Sequence, residues 1–187
     1  MSAVTLFLAG AATISILMLL WERYAGFSAQ TSSDYESEEL QIDLRTHLNG
    51  PIKCEGIIFG PWGRVVSRFS ADFEAAWDAN RGIMSERFRY DSGNTQEREW
   101  RLELGNDGRI KADADDLVGV GSGQQSGSSV KLDYNLRLPQ EAGGYVLKVT
   151  DWMYLTPDGH IVNRSVFRKF GIKVAELVAT MKRVDVH

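Results

Sequence analysis

The chain has one cysteine, Cys54. No internal disulfide can form, and no zinc site can be assembled from thiolates. Its three histidines, His47, His160 and His187, are scattered, so the imidazole pair that a metal site uses is missing. Basic charge is also scarce: the formal net charge is −4, which argues against nucleic acid as a partner, because phosphate binding needs a basic footprint. There is no nucleophile elbow, P-loop, Rossmann glycine fingerprint or HExxH. No catalytic residue, cofactor or metal ligand is therefore assigned. Asp113, Asp115 and Asp116 in KADADD are hard-cation ligand types, but they lack the glycine and distal glutamate of an EF-hand loop. They read as exposed strand carboxylates, with Asp116 able to point inward beside Ala112 and Ala114. Cys54 alternates with Ile52 and reads as a buried, inert thiol.

Charge is absent altogether from residues 2–20, SAVTLFLAGAATISILMLL. A helix of that length spans roughly 28 Å, close to the hydrocarbon thickness of a bilayer. Trp21 and Tyr24 follow, where amphipathic rings settle at the lipid–water boundary. A cleaved signal peptide fits less well: Gly26-Phe27-Ser28 before Ala29 is a poor small-x-small site, and there is no basic n-region. A buried core helix of this length does not suit a small domain. The expectation is a membrane anchor over 1–24, a polar tether over 25–39 (SAQTSSDYESEE at its centre) and one folded domain over 40–187. Arg23 is the only basic residue flanking the span, and it bears only weakly on orientation. The expectation is that the domain lies on the periplasmic side of an inner membrane.

Beyond Ile52 the dominant period is two. Val65, Phe69, Phe73 and Trp77 share one parity with small residues between them, and Arg68, Asp72 and Glu74 take the other. Segments 83–90 and 96–103 form a hairpin around DSGNT. Setting Tyr90 opposite Gln96 pairs Arg89 with Glu97 and Arg87 with Glu99, contacts contributing roughly 0.2–1 kcal/mol each. The face carrying Met84, Phe88, Trp100 and Leu102 then also carries Glu86 and Arg98, diagonal to each other. These are either an internal ion pair or a ligand contact; an arginine fork matches a carboxylate.

Residues 130–138 and 145–150 alternate likewise. In DWMYLTPDGHIVNRS, Thr156-Pro157-Asp158-Gly159 is a turn. Pairing Thr156 with His160 puts Trp152 opposite Arg164, in position for a cation–π contact, and Met153 opposite Asn163. Both parities are apolar here, so a bulge near Asp151 could switch the inner face. Residues 121–129, GSGQQSGSS, read as a flexible loop. Residues 172–183 suit either a helix or a closing strand, the strand being preferred. The fold class expected is all-β: roughly nine to ten antiparallel strands in an up-and-down β-barrel or a sandwich, the closed barrel being preferred because it removes exposed edges, behind an N-terminal transmembrane helix.

The stretches NGPIKCEGIIFGPWGRVVSRF, ADADDLVGVGSG, YNLRLP, DWMYLTPDGHIVNRS and RKFGIKVAEL together resemble a family of uncharacterised bacterial lipoproteins known as a domain of unknown function. The resemblance covers nearly all of 40–183. It implies an envelope protein with a lipocalin-like (calycin-like) β-barrel and brings no catalytic residue; a setting beside membrane-lipid-modifying enzymes goes with it. This chain departs from the family pattern in having no lipobox cysteine after the apolar run, so attachment would rest on the helix itself.

Two functions compete. In the first, the barrel binds a hydrophobic or amphipathic ligand such as a fatty acid or lipid. Phe69, Phe73, Trp77, Phe88 and Trp100 hold the tail, Arg98 or Arg164 holds the head, and Glu86 and Trp152 stand in the same wall. In the second, the barrel is filled by its own side chains and works as a structural or protein-interaction module through Trp62 or Trp152, its partners unknown. An enzyme acting on lipid is a third, weaker reading.

Overall fold

Alternating small or apolar and charged side chains build ten strands among the described residues, and these close into one barrel. The structure is a computed structural model that describes residues 2–184, leaving His187 outside; the side chains of Leu19, Glu22 and Arg23 also lie outside the description. The strands are β1 (Gly50–Phe59), β2 (Val65–Asp78), β3 (Arg81–Tyr90), β4 (Thr95–Leu104), β5 (Arg109–Asp113), β6 (Gly121–Ser126), β7 (Ser129–Arg137), β8 (Val146–Leu155), β9 (Ile161–Lys169) and β10 (Ile172–Arg183). Each runs antiparallel to its chain neighbour, and β10 returns to β1 with Met181 opposite Cys54. Closure leaves no strand with a wholly free edge, although β4 pairs with β5 only over residues 101–104. On β2 the pattern reads directly: Phe69, Ala71, Phe73 and Ala75 are buried, while Arg68 and Glu74 are exposed.

Helix α1 (Ala3–Tyr24) precedes the barrel, with its described side chains exposed. Among the described residues, no helix is long and apolar enough to cross a membrane. A short helix, α2 (Leu44–His47), is capped by Asp43, whose side chain accepts from the Arg45 amide at 2.9 Å. It lowers Leu44 and Leu48 into one end of the barrel, where both are almost fully buried. Trp77 packs over Gly82 and donates from its indole nitrogen to the Leu48 carbonyl at 2.7 Å, closing that end.

The polar stretch expected to be a tether lies instead on the outer wall. Residues 27–38 make two short 3-10 turns and cross β8 and β9. The Tyr35 ring sits 5.5 Å from Trp152 and 5.6 Å from Tyr154. Tyr154 donates to Gln30 at 2.8 Å, and Arg168 donates to the Ser28 hydroxyl at 2.5 Å. Ser128 donates to Glu38, and the Ile42 amide to the Gly127 carbonyl at 2.8 Å. The segment is polar on average, but Phe27 and Tyr35 give it the apolar anchors that a strap needs.

Two local expectations change and one holds. The β3–β4 hairpin is shifted by two residues: Glu86 faces Arg98 directly and Arg87 faces Glu97. A two-residue shift keeps every side chain on its face. The turn decides it, since the Tyr90 amide donates to the Asn94 carbonyl and Gly93 takes φ +86°. Arg87 therefore meets Glu97 at 3.0 Å in place of Glu99, and Arg89 meets Asp72 at 2.6 Å in place of Glu97. The β8–β9 pairing is as read, Trp152 opposite Arg164, with no register shift near Asp151. Residues 121–129 are not a loop but β6 and the start of β7. Their glycines serve close approach: a Cβ on Gly123 would lie 2.2 Å from the Lys131 carbonyl oxygen, and one on Gly127 only 1.7 Å from the Tyr35 carbonyl oxygen.

Gly127 takes φ +51° besides, so Gly127→Ala meets both strain and a backbone clash. The substitution should detach the strap, exposing Trp152 and admitting protease between residues 27 and 38. Limited proteolysis with tryptophan fluorescence checks this; an unchanged cleavage rate would mean that the strap does not depend on this contact.

Candidate functional site

The strand faces that turn inward leave a cavity of about 270 Å³ above the α2 plug. Its lower wall is apolar, with Met84, Leu102, Leu132 and Met153. Phe69, Phe73 and Phe88 form a cluster on one side, the Phe69 and Phe73 rings lying 5.4 and 5.6 Å from Phe88. Tyr90, Gln96, Leu138 and Pro139 line its other end and are partly or fully exposed. The cavity therefore opens at the end opposite α2. A larger depression of about 1060 Å³ draws on both faces of the wall, outward Lys53, Asp72 and Arg87 as well as inward Phe73, Glu86 and Arg98. Side chains on opposite faces of one sheet do not bound a single enclosed space, so the interior cavity is the site.

A polar cluster sits halfway up. The Arg98 guanidinium lies 4.0 Å from the centre of the Trp100 ring and 5.7 Å from that of Tyr134. Its Nε donates to Asp116 Oδ1 at 3.1 Å. Its Nη2 is within ion-pair distance of the same oxygen, 3.0 Å, but makes no aligned hydrogen bond. Alignment governs hydrogen-bond strength, so this nitrogen is a donor short of an acceptor inside the barrel. Glu86 is 7 % exposed. Burial pushes its carboxyl up to about 7; Arg98 opposes that and Asp151 adds to it. Burial also raises Asp151, against hydrogen bonds from Ser165 at 2.8 Å and from Asn163. Tyr134 is held neutral by burial. Cys54, on the same wall, is a thiol pushed up to about 12 by burial, the opposite of an activated nucleophile. Among the described residues, no group of three or more His, Cys, Asp and Glu is placed to hold a metal ion.

The structure brings together Glu86, Arg98, Trp100, Phe69, Phe73 and Phe88 around this cavity. Three candidates lie elsewhere. Trp77 belongs to the plugged end. Trp152 is on the outer face, 0 % exposed beneath the strap. Arg164 is also outside, donating to Glu176 at 2.7 Å with its guanidinium 4.2 Å from the Phe27 ring instead of on Trp152. The reason is parity: with no bulge in β8, Val149, Asp151 and Met153 point inward, so Trp152 and Tyr154 cannot. Asp151, Tyr134, Asn163 and Ser165 were not singled out from the sequence. Asp151 shares parity with Val149 and Met153, and Tyr134 with Val130 and Leu132, which is the signal that would have found them. Asp116 does turn inward, and Asp113 and Asp115 remain outside on Arg101.

A family model described as "Protein of unknown function (DUF3833)" matches residues 22–183. No curated protein matches the sequence. Among solved structures, the S-type phycobiliprotein lyase CPES from Guillardia theta is similar, with TM-score 0.61 and 11 % identity over 84 % of this chain and 99 % of that one. Rv2717c from M. tuberculosis is similar at TM-score 0.55 and 14 % identity, over 79 % of this chain and 100 % of that one. At such identities the likeness is one of fold.

The raised Glu86 carboxyl makes stability depend on pH. A carboxyl near 4.5 when unfolded and about 7 when folded binds its proton more tightly in the folded state. Its stabilising contribution is complete below the unfolded value and is lost as pH rises through about 7. Asp151 acts in the same direction. Urea unfolding should therefore show stability falling between those pH values by about 3 kcal/mol or more. Glu86→Gln should flatten that slope; an unchanged slope in the variant would assign it to other groups.

Proposed function

Because the chain belongs to the DUF3833 family, whose function is unknown, its role has to come from the site, and we propose that it is a membrane-tethered envelope barrel that binds a single-chain amphiphile such as a fatty acid. One observation carries this: an apolar cavity with, at its polar midpoint, a buried arginine nitrogen that is ion-paired to Asp116 but makes no aligned hydrogen bond. The phenylalanine cluster with Met84 and Leu102 suits an alkyl tail. A carboxylate head suits Arg98, whose Asp116 partner is partly exposed and can turn to solvent. A protonated Glu86 leaves that head unopposed. At about 270 Å³ the space is just below the range of roughly 300–1,000 Å³ usual for small-molecule sites, which favours one acyl chain over two.

The tether is α1. Residues 2–20 carry no charge and are followed by Trp21 and Tyr24, the composition that partitions into a bilayer. With the domain on the periplasmic side, the barrel would hold its ligand at the membrane surface. No feature of the site supports chemistry on the ligand, so binding rather than turnover is the reading.

Native mass spectrometry of the full chain, purified from a bacterial envelope and released from detergent, should show an adduct that extracts into organic solvent as a fatty acid. Arg98→Met should lose the adduct and keep the barrel's circular dichroism. A clean apo mass with no uptake from a lipid mixture would sink the reading. Uptake should also weaken as pH rises through about 7, because an ionised Glu86 repels the carboxylate, and Glu86→Gln should remove that dependence.

A further inference from the structure

Two of the five strand connections at the open end carry large apolar side chains held out in water. The β1–β2 connection presents Trp62, 90 % exposed, and the β9–β10 connection presents Phe170, 94 % exposed, and Ile172, 71 % exposed. They are neighbours because β1 pairs with β10. These two tips are locally basic, with Arg64 on one and Arg168, Lys169 and Lys173 on the other, although Lys173 is paired with Glu176 at 3.0 Å and the other connections at this end carry Asp91, Asp115, Asp116 and Glu141.

Phe170 is the more telling. Lys169 faces Ile172 across a two-residue turn in which Phe170 and Gly171 have φ of +51° and +82°. That geometry belongs to asparagine–glycine pairs and is costly for a side chain branching into a ring. Here a phenylalanine occupies it and projects into water. A strained, solvent-exposed aromatic is better accounted for by an occupant than by folding.

The course of the strap identifies that occupant. From Glu38 at Ser128, beside the plugged end, it climbs the outer wall to Ser28 at Arg168, two residues from Phe170. Helix α1 ends at Tyr24, so its last turn lies within about 14 Å of Ser28 by chain length. The apolar helix and the aromatic tips therefore leave the barrel at the same end.

We propose that the open end of the barrel is a bilayer-docking rim, with Trp62 and Phe170 seated in the lipid–water boundary of the anionic membrane that holds α1 and the cavity mouth facing the lipid. Aromatic rings favour that boundary, and the basic residues beside them meet anionic head groups. The inference rests on the tether in the proposed function and adds the route: an acyl chain passes between bilayer and cavity without crossing water.

The test places the full chain in vesicles of phosphatidylcholine and phosphatidylglycerol. A single cysteine is introduced at Trp62, at Phe170 or, as a far-end control, at Asp158, and labelled with a polarity-sensitive fluorophore. Cys54, 3 % exposed, stays unlabelled. Labels at 62 and 170 should shift to the blue and be quenched by brominated phospholipid, and the label at 158 should do neither. Phe170→Asn should raise the thermal midpoint by relaxing the turn and at the same time reduce the quenching at position 62. Water-like spectra at 62 and 170, matching 158, would overturn the proposal and leave the rim to a protein partner. Quenching at both tips without a lipid adduct in the mass spectrum would remove the carrier reading and leave the docking rim standing.

Discussion

Closing ten strands into a ring puts Glu86, Arg98, Asp116 and Asp151 around one low-dielectric volume, and much of the interior follows from how that charge is managed. One guanidinium cannot offset three ionised carboxyls. The barrel's solution is partial: Asp116 stays partly in solvent, Asp151 is held by Ser165 and Asn163, and burial pushes the Glu86 carboxyl up to about 7. A core filled with hydrocarbon would avoid the cost of burying these groups. Their presence beside an unfilled cavity is what gives the interior its binding character.

The outside of the barrel obeys a second constraint. Both parities of β8 carry large apolar side chains, so one set has to find cover beyond the sheet. Trp152 and Tyr154 obtain it from residues 27–38. The strap that provides the cover also sets where the N-terminal helix departs, and so which end of the barrel the proposed membrane would meet. Packing on one strand thereby reaches the orientation of the whole domain.

Much of this was legible along the chain. Single-parity segments such as 65–77 specify strands, because side-chain alternation is a local property of extended backbone. The β8–β9 hairpin was read in its true register because Thr156-Pro157-Asp158-Gly159 allows one turn. The β3–β4 hairpin was read two residues out. Arg87 and Arg89 on the outer face of β3 stand against Glu97 and Glu99 on that of β4, so a two-residue slip still leaves an arginine opposite a glutamate, and only the length of the turn through Gly93 separates the registers. Glycine content misled at 121–129, where small residues mean close packing and not freedom.

By itself the sequence determined an all-β antiparallel barrel, the apolar N-terminal segment, and six side chains facing one interior, since each of these is encoded in short-range pattern. The tertiary structure alone decided that Trp152 and Arg164 lie outside, that Asp151 and not Trp152 faces Arg98 from β8, and that the polar segment straps the wall. Those outcomes depend on which of two apolar faces turns inward once the ring closes. Local alternation is symmetric with respect to that choice, and only contacts between residues more than a hundred positions apart, such as Gln30 with Tyr154 and Ser28 with Arg168, break the symmetry.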